Sequence, residues 1–252
     1  MDITLHSPET IYAPRHVPSW LLLAGAAGMV NGWAFVMCEQ FVTHISGTVT
    51  RVGLEFPVAG LLIDYAAIVI SFVAGAATSV IAIQARALRG KRPRWATPLL
   101  TVALILVAVA WAGEAGWFGT FGGTLTADRP PVTLLSILAY AMGLQNAAVA
   151  STTGLAVRTT HLTGPATDLG IHMGVAAIAS GSERTAALRG VALRGGKVLA
   201  FLLGAGFAQP LTGYLDYSAL LAPAGSILVA ALLSFSVNWS PSDFPFRRAT
   251  TT

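Results

Sequence analysis

GMVNGWAFVMCEQFVTHISGTVTRVG (28–53) and GLQNAAVASTTGLAVRTTHLTGPATDLG (143–170) are two versions of one pattern. Each sets a glycine three residues before an asparagine: Gly28 with Asn31, and Gly143 with Asn146. An apolar stretch follows, then histidine, an aliphatic residue, a hydroxyl residue and glycine. These are His44, Ile45, Ser46 and Gly47 in the first copy, and His161, Leu162, Thr163 and Gly164 in the second. A further glycine closes each copy, at Gly53 and Gly170. The offset between copies is 115 at the asparagines and 117 at the histidines, so two residues are inserted between those points. A weaker echo pairs ISFVAGA (70–76) with LAFLLGA (199–205).

The rest of the chain determines the medium in which such a repeat operates. Of 252 residues, 54% are hydrophobic and only 10% charged, and mean hydropathy is +0.68. A water-facing surface calls for roughly 25–35% charged side chains, which this chain does not have. A helix needs about 20 mostly apolar residues to cross a bilayer. Six stretches qualify, approximately 19–42, 58–83, 97–113, 132–156, 198–215 and 218–237, with a tight hairpin expected at Asp216 and Tyr217. Residues 1–17 mix acids and bases and read as a cytoplasmic tail rather than a cleaved signal, and 238–252 read as a second cytoplasmic tail. Cys38 is the single cysteine, which excludes an internal disulfide and any multi-cysteine metal site.

With the N-terminus inside, 13 of the 15 Lys and Arg residues fall on the cytoplasmic side. Only Arg51 and Arg129 lie outside. The basic loop at 86–94 reads as a topology signal facing anionic lipid, not as a nucleic-acid surface. Each copy then holds three spans, repeat 1 over about 18–115 and repeat 2 over about 132–237. An odd number of spans makes the second copy enter from the opposite side. The expected fold is therefore an all-α membrane domain over 18–237, with two inverted three-helix repeats and a broken or short helix after the first span of each.

The motif is too polar for an ordinary crossing. A break followed by a short helix is expected, Thr48 to about Phe56 and Pro165 to about Ile178, with Ser46 or Thr163 as N-cap. Broken backbone at membrane depth must face protein or water, and helix starts attract anions or polar ligands. Candidate solute-binding residues are Asn31, His44, Ser46, Gly47 and Thr48 in the first copy. In the second they are Gln145, Asn146, His161, Thr163, Gly164 and Asp168. The asparagines have three open roles: bonding across the repeat, bracing the broken backbone, or touching a solute. Asp168 and Arg51 match through the offset of 117, and are expected either in opposed vestibules or attracted to each other. Glu39 and Asp64 read as snorkelling acids, and Trp20, Trp95, Trp117 and Trp239 as interface anchors. The Gly28/Gly32 and Gly170/Gly174 spacings suit close helix packing or a homodimer.

On GMVNGWAF, FVTHISGTVTRVG, AMGLQNAAV and TTHLTGPATDLG, the chain resembles the YoaK-like proteins of the DUF1275 family over roughly residues 18–237. The resemblance implies a six-span protein of the bacterial inner membrane and supplies no substrate. Asn31 and Thr48 depart from the aspartate and asparagine common at those positions in the family, which weighs against an ionisable group in span one. The reading is a transport protein, carrier or channel, for a small polar or anionic solute, with the lipid bilayer as its other partner. No cofactor, metal or nucleic acid is expected. A membrane-embedded enzyme and a non-transporting scaffold subunit are the alternatives. Against the enzyme stands the absence of Gly-x-Ser-x-Gly, of His-Glu-x-x-His and of paired carboxylates on one helix.

Overall fold

A computed structural model describes residues 4–7, 10–56, 58–122, 131–160 and 162–235. Among these residues eight α-helices run in order: α1 Val17–Cys38, α2 Ile45–Leu54, α3 Ala59–Leu88, α4 Thr97–Glu114, α5 Val132–Thr152, α6 Thr163–Ile178, α7 Gly181–Leu215 and α8 Leu221–Ser234. Proline opens α1 and α4 near their first residues, where its missing N–H leaves no bond unmade. Among the described residues there is no strand.

Among the described residues five helical stretches are long and apolar enough to cross a membrane. They are α1, α3, α4, α5 and the run Gly181–Ser234, which includes both α7 and α8. Large apolar side chains such as Ile63, Ile70, Leu104, Trp111, Leu202, Phe207 and Leu232 face outward. That pattern is stable against lipid and a liability against water. The chain is a multi-pass helical membrane protein.

The expected break at Asp216 is present: its φ of 44° ends α7, and a 3-10 turn over Asp216–Leu220 leads into α8. The expected start of the fifth span, residue 198, is not. α7 begins 17 residues earlier, because the Arg/Ala/Leu-rich stretch 184–197 has good helix formers and only glycines to interrupt it.

Contacts give the helix directions. Tyr12 just before α1, then Leu21, Gly28 and Gly32 along it, meet Arg194, Gly196, Phe201 and Ala208 in turn, so α7 runs parallel to α1. His16 and Ser19 hydrogen-bond Ser234, whereas Trp33 Nε1 donates to the Asp216 carbonyl, so α8 runs antiparallel to it. Gly113 packs on Tyr217, and Trp95 shares a small cavity with Phe235, which makes α4 antiparallel to α8. The end of α5 receives N–H bonds from Leu5 and His6 beside the start of α1. With α3 returning through the short loop 89–96, α1, α4 and α7 point one way and α3, α5 and α8 the other.

Two glycine interlocks hold the centre. A Cβ at Gly28 would strike the Phe201 carbonyl, and one at Gly204 the Gly25 carbonyl, which locks α1 to α7. A Cβ at Gly143 would strike the Phe72 carbonyl, and one at Gly75 the Tyr140 carbonyl, which locks α3 to α5. Both interlocks use corresponding positions of the repeated sequence. Lipid supplies no hydrophobic drive between helices, so such backbone proximity, with its dispersion contacts, holds them together. Gly170 and Gly174 make no such close approach within the chain: nothing among the described residues lies within 4 Å of a Cβ at either.

The N-terminal segment docks on the bundle. Trp20 Nε1 donates to the Ile11 carbonyl, and Trp20 is fully buried among His6, His16 and Phe235 rather than anchoring at an interface. Asp64 is also inside the protein, at 6% exposure, and does not snorkel. Burial first, then the neighbouring His16, holds His6 down at about 4, against a smaller opposing effect of a backbone hydrogen bond at Ser234. A histidine kept neutral in the folded state contributes stability above its unfolded value of about 6.5, and loses it as pH falls toward 4. Lowering pH from 7 to 5 is therefore expected to weaken docking of this segment by about 2 kcal/mol. Limited proteolysis before Val17 would accelerate over that interval, and His6→Phe would flatten the response. Cleavage rates that do not change with pH would contradict the assignment.

Candidate functional site

The first span breaks where Glu39 takes a left-handed conformation, φ 53°, and its N–H closes on the Phe35 carbonyl. The chain then turns back toward α1. Asn31, two turns before the break, makes this possible: its Oδ1 accepts from Val42 N–H at 3.1 Å, Thr43 N–H at 3.1 Å and Thr43 Oγ1 at 3.0 Å. That is the bracing role among those open to it. Each of these donors is a buried group that would otherwise lie unpaired at membrane depth.

His44 ends the loop and stands at the N-cap of α2, and Leu162 does the same for α6. The short helices thus begin at Ile45 and Thr163, earlier than the expected Thr48 and Pro165. Neither Ser46 nor Thr163 caps, because each already lies within the first turn. The His44 ring packs on Gly47, where a Cβ would come within 3.1 Å of Nδ1. Thr48 Oγ1 donates back to the His44 carbonyl.

The starts of α2 and α6 border one cavity of about 510 Å³. The first copy contributes Asn31, Phe41, Thr43, His44, Ile45 and Ser46; the second contributes Asn146, Leu162 and Thr163. Phe72 of α3 and Phe201 of α7 complete the wall. This volume is within the range of small-molecule sites. Aromatic and aliphatic groups dominate its lining, with a few hydroxyl, amide and imidazole groups. The first N–H groups of each short helix have no acceptor within their helix, which makes this end of the cavity weakly electropositive.

The two copies differ in their brace. Thr160 corresponds to Thr43 and Asn146 to Asn31, yet Asn146 Oδ1 and Thr160 Oγ1 are both buried with no hydrogen-bond partner among the described residues. Gln145, where the first copy has Val30, holds the second loop instead. Its Nε2 donates to the Leu23 carbonyl at 2.9 Å and to Thr159 Oγ1 at 3.4 Å. Gln145 is a fully buried strut and does not line the cavity.

Of the other expected site residues, Gly164 and Asp168 lie in a second cavity of about 250 Å³, with Arg158, Arg194 and Lys197. His161 lies outside the described residues. Asp168 and Arg51 do not attract each other: Asp168 Oδ2 pairs with Arg194 Nε at 3.5 Å, while Arg51 Nη1 donates to Tyr65 Oη at 2.8 Å and lies over that ring. Their sequence neighbours explain the difference, since α7 presents arginine to α6 and α3 presents tyrosine to α2. Thr43, Thr160, Phe72 and Phe201 escape a reading centred on the histidine motif. The signal for them is present as a threonine directly before each histidine and as the phenylalanines of the weaker echo. Among the described residues, no three His, Cys, Asp or Glu side chains are grouped to hold a metal ion.

Helices and an outward apolar surface define a multi-pass membrane protein, and a binding-sized, mostly apolar cavity with a few polar groups lies between the two motif copies. The chain belongs to the family described as "Protein of unknown function (DUF1275)", which matches residues 19–233. No curated protein and no solved structure matches it.

Proposed function

We propose that the protein is a membrane transport protein for a small polar or anionic solute, with six spans forming two inverted three-helix repeats and both termini cytoplasmic. The observation that carries this reading is the cavity where the two motif copies meet, lined from both sides by Asn31, Thr43, His44, Ser46, Asn146 and Thr163. Opposed directions of corresponding helices support inversion: α1 against α5, α3 against α7, and α4 against α8. The matched glycine interlocks support it as well. The sixth span is α8 with its 3-10 extension, roughly 31 Å by standard rises and close to the hydrocarbon thickness of about 30 Å. A solute path at the junction of inverted repeats with interrupted helices is a general transporter design.

The unequal braces favour a carrier over a channel. One loop is tied to its asparagine, and among the described residues the Asn146 oxygen makes no matching tie to the other, so exchanging the two states is a natural rocking coordinate between faces of the membrane. Purified protein in liposomes is expected to take up at least one labelled small anion, amino acid or weak acid, saturably and above protein-free vesicles. Folded protein with no flux across that panel would overturn the proposal.

A further inference from the structure

The second cavity is separate from the first, and its chemistry differs. Three cationic side chains, Arg158, Arg194 and Lys197, line it against one carboxylate, Asp168, giving a local charge of about +2. Lys197 is the telling residue. It is only 4% exposed and lines the cavity, where Asp168 attracts it and Arg194 repels it. A buried ammonium that shares one carboxylate with two guanidinium groups is costly, and burial of this kind is retained where a partner arrives. Arg194 adds a second unmet group. Its Nη1 donates to Tyr12 Oη at 3.1 Å, but its buried Nε contacts Asp168 at 3.5 Å without hydrogen-bond geometry.

Gly164 and Pro165, in the first turn of the 16-residue α6, form another wall, so the positive end of that helix adds to the same field. Thr163 lines the central cavity and Gly164 this one, so the first turn of α6 separates the two spaces. At about 250 Å³ the space suits a compact group and not a nucleotide.

We infer that Lys197, Arg194, Arg158 and the start of α6 bind a dianionic oxyanion of the phosphate or phosphomonoester class. A fork of guanidinium donors beside a point ammonium is the donor set such a group takes. The inference stands whether or not the central cavity carries a solute.

The test uses the full chain and two probes. Inorganic phosphate is titrated by calorimetry in detergent against chloride at matched ionic strength. Nanodiscs of phosphatidylcholine with and without phosphatidic acid supply the same chemistry as a lipid headgroup. Saturable phosphate binding, weakened roughly tenfold or more by Lys197→Met and by the exposed Arg158→Ala, is the expected result. Selective stabilisation by phosphatidic acid, lost in the same variants, would support the site with a lipid source. The inference is overturned if neither probe acts beyond chloride or plain lipid. It is equally overturned if both variants, monodisperse on gel filtration, respond as the parent does, or if Asn146→Ala abolishes binding while they do not.

Discussion

Gly143→Ala is expected to lower the thermal midpoint of the purified protein sharply, and Gly28→Ala to do the same, whereas Gly170→Ala leaves it unchanged or raises it. In the first two cases the new methyl meets a backbone carbonyl of the neighbouring helix, Phe72 or Phe201, and no rotamer change can relieve that contact. Overpacking of this kind costs about 1–3 kcal/mol and sometimes more, and here the helices must move apart to accommodate it. At Gly170 the added methyl meets nothing, and alanine gains about 1 kcal/mol of helix propensity over glycine. Fluorescence-detected gel filtration after heating would resolve the series. Equal midpoints for all three variants would mean that the interlocks do not hold the bundle.

The second large effect separates the two asparagines. Asn31→Ala removes one acceptor from three donors, Val42 N–H, Thr43 N–H and Thr43 Oγ1, and is expected to cost about 2–4 kcal/mol of stability. Asn146→Ala removes an Oδ1 that has no protein partner among the described residues, so the fold is expected to survive with little loss. On the transport proposal, loss of this cavity-lining amide is expected to reduce flux or ligand affinity roughly tenfold. Matched measurements of thermal midpoint and liposome flux check the split. An unfolded Asn146→Ala beside a stable Asn31→Ala would reverse the assignment.

Much of this was legible because membrane insertion simplifies the code. Apolar runs announce helices in a medium that forbids unpaired backbone, so α3, α4 and α5 begin within a residue of their expected starts. The Asp216–Tyr217 pair between two apolar stretches placed the hairpin, and glycine with a hydroxyl residue beside histidine placed the breaks around His44 and Thr163 to within a few residues. Position along the chain, however, does not reveal which side of a helix meets protein. Trp20 has the composition of an interface anchor and the environment of a core residue, because the segment around Ile11 folds back over it. Lys197 counts as a topology charge in a tally of loops, but α7 extends through it and turns it inward.

Composition and span lengths established from the sequence alone that this is a helical membrane protein, and the sequence itself carries one motif twice. Those properties depend on the order of apolar and polar residues, which any segment carries by itself. Only the tertiary structure decided that Asn31 has its oxygen fully engaged while Asn146 does not, that Asp168 meets Arg194 and not Arg51, and that one motif borders two cavities. Those properties depend on which side chains from distant segments arrive within about 3–4 Å of one another, and hydrogen bonds and ion pairs act only over that range.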